Sequence, residues 1–169
     1  MTVPCTKVGV EFFDTAPTIH RARVEVDVTP ERVFELLLDA DAWVKWALPI
    51  NRVDWTSGFP LEVGSTRDVH MWAGLVGHEE FIAYEHGSRM AFRFNAASKK
   101  GVEAFAENYD VTELSGGRSS IDWTMAMDTG SSSKIMARMT DPLMGLGLKF
   151  MLNRFAKLLE SDYAPAQAR

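Results

Sequence analysis

Three features that are scarce or missing limit what this chain of 169 residues can be. No apolar run reaches the roughly 18 residues that a membrane-spanning helix needs. Cys5 is the only cysteine, so no internal disulfide can form, which is typical of a protein in a reducing cytoplasm. Basic residues are not in excess, because the net charge is −5 and no basic stripe is present, which argues against nucleic acid as a partner.

Signals for secretion and for metal binding are also missing. The N-terminal segment MTVPCTKVGVEFF has no basic region followed by a long apolar core, so we expect a cytoplasmic protein without a secretory signal. Cys5 lies near a terminus with no base expected beside it, and we expect an inert thiol. No metal or cofactor is expected, because neither an HExxH motif nor paired ligand spacing occurs among the histidines His20, His70, His78 and His86.

What is present is an apolar chain rich in large side chains. Hydrophobic residues make up 46% of it, with five Trp, ten Phe and nine Met, which suits a core with adaptable packing. The length is most economically one domain that buries roughly 70% of its unfolded surface. We expect a lead-in at residues 1–17, a single domain at residues 18–164 and a tail at residues 165–169.

The C-terminal stretch 141–163 has the pattern of a long helix. Asp141 is the expected N-cap and Pro142 the expected first helical residue. One face carries large apolar residues at spacings of three and four, namely Met144, Leu148, Met151, Phe155, Leu158 and Leu159. A helix of this length cannot bury that face alone, so a broad apolar surface must receive it.

The rest of the chain is predicted to be mainly strands. Thr29 and Pro30 begin one short helix, and residues 42–47 form a second one. Alternating apolar and polar residues with Gly-containing turns predict strands at 19–28, 50–56, 65–72, 77–85, 90–96, 102–113 and 119–128. Short links between successive strands make neighbours antiparallel. The order predicts an α+β fold in which a bent antiparallel sheet wraps round the long helix.

Several segments in this order resemble a known superfamily. They are residues 24–37, Trp43 and Trp46, residues 63–69, residues 79–81 and 88–93, and the final helix. Together they resemble the helix-grip, START-like or SRPBCC superfamily, and within it the polyketide cyclase/dehydrase-type branch. The resemblance implies a helix-grip fold, with a strongly curved antiparallel sheet of about seven strands, two short helices, and a long C-terminal helix packed across the concave face. It also implies a deep apolar cavity between sheet and helix.

Strand parity predicts which side chains would line that cavity. Arg67 shares a face with Val69 and Met71, and Glu79 shares one with Phe81 and Ala83. The predicted ligand-contact residues are Trp46, Arg67, Val69, Met71, Glu79, Phe81, Phe92, Phe94, Phe105, Glu107, Tyr109, Trp123, Met125, Met144, Leu148, Met151 and Phe155. Such parities fail wherever a β-bulge occurs.

Arg67, Glu79 and Glu107 are charged residues on predicted apolar faces. Either they pair with one another or lie at strand ends in water, or they orient a ligand in an apolar pocket. The resemblance to aromatase/cyclases implies that an arginine and a hydroxyl-bearing residue position a polyketone, which makes Arg67 and Tyr109 the candidates here. Burial would raise the pKa of Glu107 and make it a candidate general acid or base.

Leu143, Leu146 and Phe150 fall on the opposite side of the predicted helix, beside Gly145 and Gly147. Either the 129–139 loop or the N-terminal lead-in covers them, or they form a homodimer contact or a flexible gate.

The implied cavity predicts a protein that binds a hydrophobic, lipid-like or polyketide-like molecule. The alternatives are an enzyme of the polyketide cyclase, aromatase or dehydratase type, and a protein-interaction or dimerisation module.

Overall fold

The computed structural model describes residues 2–130 and 134–165, without the side chains of residues 134–142. The strands are β1 (Val3–Pro4), β2 (Thr18–Val26), β3 (Ile50–Trp55), β4 (Thr66–Met71), β5 (Val76–Glu85), β6 (Arg89–Ala97), β7 (Ala104–Leu114) and β8 (Arg118–Asp128). The helices are α1 (Phe12–Thr15), α2 (Pro30–Leu38), α3 (Ala40–Trp46) and α4 (Lys134–Leu159), and a 3₁₀ turn spans Trp72–Gly74. Each predicted strand is present and differs from its prediction only at its ends.

One antiparallel sheet has the strand order β2-β8-β7-β6-β5-β4-β3, and β1 pairs with the end of β6. Helix α4 packs against β2, α2 and α3, and its Leu148, Leu152 and Phe155 belong to the same core cluster as residues from β2 to β8. The curved sheet therefore receives the apolar face of the long helix. The predicted helix-grip architecture is confirmed.

The helix α4 begins at Lys134 and not at Asp141, so the predicted N-cap at Asp141 is wrong. The sequence before Asp141 is KIMARMT, most of which favours helix. The pair Asp141–Pro142 resembled a helix start only because both residue types are common there. The side chains of both lie outside the described residues.

The C-terminal end of α4 is fastened to α2. Arg32 donates a hydrogen bond from Nε to the carbonyl oxygen of Leu159 (3.4 Å) and one from Nη2 to that of Tyr163 (2.5 Å). The hydroxyl of Tyr163 donates to Asp39 Oδ2 at the α2–α3 junction (2.5 Å). These bonds turn the chain back over α2, which explains why the helix ends at Leu159 and not at the predicted Tyr163.

The short helices follow their predicted signals in part. Asp39 Oδ1 accepts a hydrogen bond from the Asp41 backbone N–H (3.1 Å) and so caps α3. Thr29 occupies the N-cap position of α2, but its side chain makes no capping hydrogen bond. Trp43 anchors α3, because its Nε1 donates to the carbonyl oxygen of Leu37 (2.8 Å).

The N-terminal lead-in covers the convex face of the sheet. Phe13 of α1 packs in a small cluster with Ala91, Ala106 and Ala126 from β6, β7 and β8. A register shift between Phe81 and Ala83 moves Ala83 into this convex cluster, so its predicted place beside Glu79 is wrong. The part of the lead-in from Val8 to Ala16 thus lies on the other side of the sheet from α4, whereas Cys5 packs against Phe94, which lines the cavity.

Gly77 of β5 lies directly against the ring of Phe94 on the neighbouring strand. A Cβ at this position would overlap the ring of Phe94 on the neighbouring strand. We expect Gly77→Ala to lower the free energy of unfolding by about 1–3 kcal/mol, because the ring must be displaced. Urea unfolding measures this. Gly58→Ala is the control, since a Cβ there meets no heavy atom within 4 Å; equal effects in the two variants would contradict the packing.

Candidate functional site

A cavity of about 390 Å³ lies between the concave face and α4. Its floor is formed by β4 to β8, and its α4 wall runs from Leu143 to Met151. The loop from Ala47 to Ile50 and the side chain of Trp72 complete the wall. Almost all of the lining is apolar, and the charged exceptions, Arg67, Glu79 and Glu107, are on β4, β5 and β7 of the floor.

Aromatic side chains fill the space beside the cavity. The ring of Trp46 lies 4.9 Å from Trp43 and 4.7 Å from Phe155, measured between ring centroids. Tyr109 stacks on Trp123 at 5.4 Å. These rings are almost fully buried. The gap between sheet and helix is therefore solid at the α3 end and open only beneath the part of α4 that precedes Leu152.

Arg67 and Glu79 form an ion pair in the cavity wall. They are direct cross-strand neighbours on β4 and β5, and Arg67 Nε lies 2.5 Å from Glu79 Oε2. The guanidinium carbon is 4.4 Å from the ring centroid of Trp43 and 4.4 Å from that of Phe92, so the group is held between two aromatic faces. Arg67 is only 1% exposed. Of the two interpretations of these charges, the structure shows the internal pair for Arg67 and Glu79.

Two opposing effects act on the pKa of Glu79. Burial raises the pKa of Glu79, whereas the guanidinium of Arg67 lowers it. The pKa of Glu79 is raised overall, because burial outweighs the attraction of the guanidinium. Arg67 Nη1 is buried without a hydrogen-bond partner among the described residues, so the guanidinium is not fully satisfied by the protein.

Glu107 lies at the centre of the floor. In the sheet register it is between Phe92 on β6 and Met125 on β8. Its Oε2 accepts a hydrogen bond from the hydroxyl of Tyr109 (2.9 Å), and 9% of the residue remains exposed. Burial, followed by the charge of Glu79, raises the pKa of Glu107 to about 8. At neutral pH it is therefore a carboxylic acid, which can donate a proton as well as accept one.

Tyr109 stays a phenol beside this acid. Burial and the neighbouring Glu107 raise the pKa of Tyr109 well above its ordinary value. Its hydroxyl is used in the bond to Glu107, and the whole residue is buried. Tyr109 can thus fix the orientation of Glu107, but it presents little surface to the cavity.

All but two of the predicted ligand-contact residues line the cavity. Phe81 stacks on Phe92 and Phe155 packs on Trp46, so both belong to the surrounding core and not to the lining. Contact of the others with a ligand stays a prediction. The lining residues that the prediction did not include are Trp43, Ala47, Leu48, Pro49, Ile50, Trp72, Met127, Leu143, Gly147 and Phe150.

Leu143 and Phe150 are at the cavity mouth, so placing them on the opposite side of the helix was wrong. Successive helical residues are about 100° apart, which places each of them next to the stripe of Met144 and Met151. They are 69% and 55% exposed, and Trp72 across the mouth is 58% exposed. Met127 could have been predicted, because it shares the parity of Met125.

The described residues contain neither a metal-binding cluster nor a membrane-spanning helix. No group of three or more His, Cys, Asp or Glu side chains in them could hold a metal ion. No helix among them has the length and apolarity to cross a bilayer. Cys5 is buried, and burial raises the pKa of its thiol, which matches the inert role expected of it.

Comparison with known proteins identifies relatives of this arrangement. A family model described as "Polyketide cyclase / dehydrase and lipid transport" matches residues 18–160. An uncharacterized protein of Mycobacterium tuberculosis is 42% identical over 164 residues, which are 97% of this chain and 98% of that protein. An uncharacterized protein of Mycobacterium bovis matches to the same extent.

Solved structures share the fold at low sequence identity. A START superfamily protein from Mycobacterium smegmatis has a TM-score of 0.70 at 11% identity, over 84% of this chain and 97% of that one. The Zhui aromatase/cyclase from Streptomyces sp. R1128 has a TM-score of 0.67 at 15% identity, over 84% and 93% of the two chains. At such identities the likeness concerns the fold alone.

The protonated state of Glu107 predicts a pH-dependent stability. Its pKa is about 8 in the folded protein against an ordinary value of 4.5, so its stabilising contribution is complete below pH 4.5 and is lost as the pH rises towards 8. We expect Glu107→Gln to gain stability relative to the wild type, by roughly 2–4 kcal/mol between pH 5 and pH 8. Urea unfolding at several pH values measures the difference.

The control for this prediction is Glu113→Gln, an exposed carboxylate on the same strand. Its difference from the wild type should stay constant over the same pH range. A constant difference for Glu107→Gln as well would show that Glu107 is already ionised in the folded protein.

Proposed function

Because the chain belongs to the polyketide cyclase/dehydrase and lipid transport family, we propose that it binds a hydrophobic small molecule in the cavity between the sheet and α4. The observation that carries the proposal is the cavity itself, which has a volume of about 390 Å³ and an almost wholly apolar lining. That volume is within the range of small-molecule sites, roughly 300–1,000 Å³. A lipid-like or polyketide-like ligand fits both the size and the lining.

Methionines give the lining its adaptability. The thioether side chains of Met71, Met125, Met127, Met144 and Met151 surround the open part of the cavity. Methionine is unbranched and polarisable, so it adjusts to ligands of different shape. This favours a site that accepts a class of apolar molecules over a site that is complementary to a single one.

Glu107 gives the ligand its orientation. Two described carboxyl groups line the cavity, those of Glu79 and Glu107. Glu79 is paired with Arg67, and Glu107 has the larger exposed fraction. As a neutral acid held by Tyr109, Glu107 donates a hydrogen bond to an oxygen of the ligand. Arg67 acts at one remove, because its pairing with Glu79 leaves Glu107 as the carboxyl group available to the ligand.

A second candidate function is catalysis of the polyketide cyclase, aromatase or dehydratase type. The observation that favours it is the raised pKa of Glu107, since a buried carboxyl that titrates near neutrality is suited to general acid–base catalysis. In that case Glu107 transfers a proton to or from a carbonyl-bearing substrate, and Tyr109 positions it. The likeness to an aromatase/cyclase structure is of fold only and adds nothing to this choice.

The cytoplasmic location expected from the single cysteine stays a prediction. A homodimer through Leu143, Leu146 and Phe150 also stays a prediction.

Cavity binding is tested by filling the cavity from α4. Gly147 lines it, and a Cβ there would meet no heavy atom within 4 Å, so a larger side chain enters open space. We expect the wild type to bind the neutral fluorophore N-phenyl-1-naphthylamine saturably, and Gly147→Leu to weaken its binding roughly tenfold or more. Fluorescence titration measures both dissociation constants.

Gly147→Ala is the matched control, because it makes the same gain in helix propensity with only one added methyl group. It should bind within about threefold of the wild type, a difference below 1 kcal/mol. Absence of wild-type binding, or equal binding by the leucine variant, would refute the site. Native mass spectrometry of the protein as purified then identifies a bound natural ligand.

Catalysis is tested separately with Glu107→Gln and a linear poly-β-ketone thioester as substrate. If Glu107 is the acid–base group, turnover to the aromatic product should fall by about 10²-fold or more, while binding of the fluorophore is retained. Absorbance of the aromatic product measures turnover, with Glu113→Gln as control. A wild type without turnover, or a Glu107→Gln variant with unchanged turnover, would leave binding as the function.

A further inference from the structure

The cavity opens through a ring of exposed apolar side chains, which we call the mouth rim: Trp72, Leu143, Leu146 and Phe150. Trp72, Leu143 and Phe150 line the cavity, and Leu146 lies beside them on α4 at 64% exposure. The lead-in from Val8 to Ala16 packs on the convex face and so does not cover them, while Cys5 packs against Phe94 and Ala97. An exposed cluster of large apolar residues marks a contact surface.

Lysines flank the mouth rim. Lys99 Nζ donates to the carbonyl oxygen of Ala73, directly after Trp72, and Lys100 follows in the same exposed turn. On the helical side, exposed Lys149 lies next to Phe150. Among the side chains that the structure describes, the carboxyl groups that line the cavity are those of Glu79 and Glu107, and both are buried.

The distribution of charge along the chain agrees with this local pattern. The sequence of α4 contains five basic residues and one acidic residue, although the whole chain has a net charge of −5. The basic residues are Lys134, Arg138, Lys149, Arg154 and Lys157. Lys149 is the one of these that lies in the described stretch of α4 lining the cavity, and the helix as a whole is basic within an acidic chain.

We propose that the mouth rim docks on the surface of an anionic lipid bilayer. Tryptophan, leucine and phenylalanine side chains enter the boundary between headgroups and acyl chains, and the lysines lie against the anionic headgroups. In this position the cavity opens into the apolar layer, so a hydrophobic ligand passes between bilayer and protein without crossing water. The inference extends the proposed function, since it names where the ligand is collected or delivered.

A second copy of the chain fits the same surface less well. A twofold contact through α4 would place the mouth rim of one copy against that of the other. Exposed Lys149 would then face its own equivalent, and like charges would repel. An anionic bilayer satisfies the apolar and the basic residues together.

The test is sedimentation of the intact protein with vesicles, without added ligand. We expect binding to vesicles of phosphatidylcholine containing about one third phosphatidylglycerol, weak binding to phosphatidylcholine alone, and loss of binding as salt rises. Leu146→Ser should weaken the partition constant by about fivefold or more, because a buried leucine side chain is lost from the interface. Lys149→Glu should weaken it by at least about fivefold on the anionic vesicles.

Matched controls separate docking from folding and from cavity binding. Val44→Ser removes an exposed apolar side chain from α3, outside the cavity lining, and should bind vesicles like the wild type. Leu146 does not line the cavity, so Leu146→Ser should still bind N-phenyl-1-naphthylamine in the absence of vesicles. Failure of vesicle binding with retained fluorophore binding would therefore overturn the docking proposal alone.

The oligomeric state supplies the remaining outcome. Sedimentation velocity of the wild type and of Leu146→Ser, without vesicles, should show the same monomer. A wild-type dimer that Leu146→Ser abolishes, together with no binding to anionic vesicles, would assign the mouth rim to a second copy and overturn the proposal.

Discussion

A guanidinium enclosed in an apolar core requires a counter-charge and a polarisable surrounding, and the arrangement of the site depends on how Arg67 obtains both. Glu79 provides the charge from the adjacent strand, and the rings of Trp43 and Phe92 provide the two faces. The charge of Glu79 in turn adds to the larger effect of burial in raising the pKa of Glu107, whereas Arg67 lowers it. The third residue, Glu107, is thus kept neutral mainly by burial, and it is the carboxyl group that the cavity exposes more.

The site is divided between rigid and adaptable parts. At the α3 end, edge-to-face and stacked rings around Trp46 and Tyr109 fill the space and fix the polar side chains in position. Under the preceding part of α4, methionines and the mouth rim leave open volume. Recognition of a polar group by Glu107 and accommodation of a variable apolar body are therefore carried out by different regions of one cavity.

The sequence predicted the parts that depend on periodicity. Alternation along β7 and β8 placed Glu107, Tyr109 and Trp123 on one face, and the register confirms it. The prediction from alternation was wrong at Ala83, because a β-bulge reverses the parity there and no residue type in the sequence indicates that bulge. Leu48, Pro49 and Trp72 could not be predicted, since they reach the cavity from irregular segments whose direction depends on tertiary packing. The start of α4 was wrong because Asp141–Pro142 is a frequent helix start but does not require one.

The hydrogen bonds at the C-terminal end of α4 determine which part of the cavity is rigid. Arg32 and Tyr163 hold the chain where the helix finishes, and Arg154 Nη2 adds a bond to the Lys45 carbonyl oxygen (2.5 Å) one turn earlier. The part of α4 that lines the cavity, from Leu143 to Met151, precedes these bonds in the chain. These bonds hold the last turns of α4 against α2 and α3, which keeps the aromatic side chains around Trp46 in place. Variation in ligand size is therefore accommodated by the methionine side chains on the other side of the cavity, and not by displacement of this end of the helix.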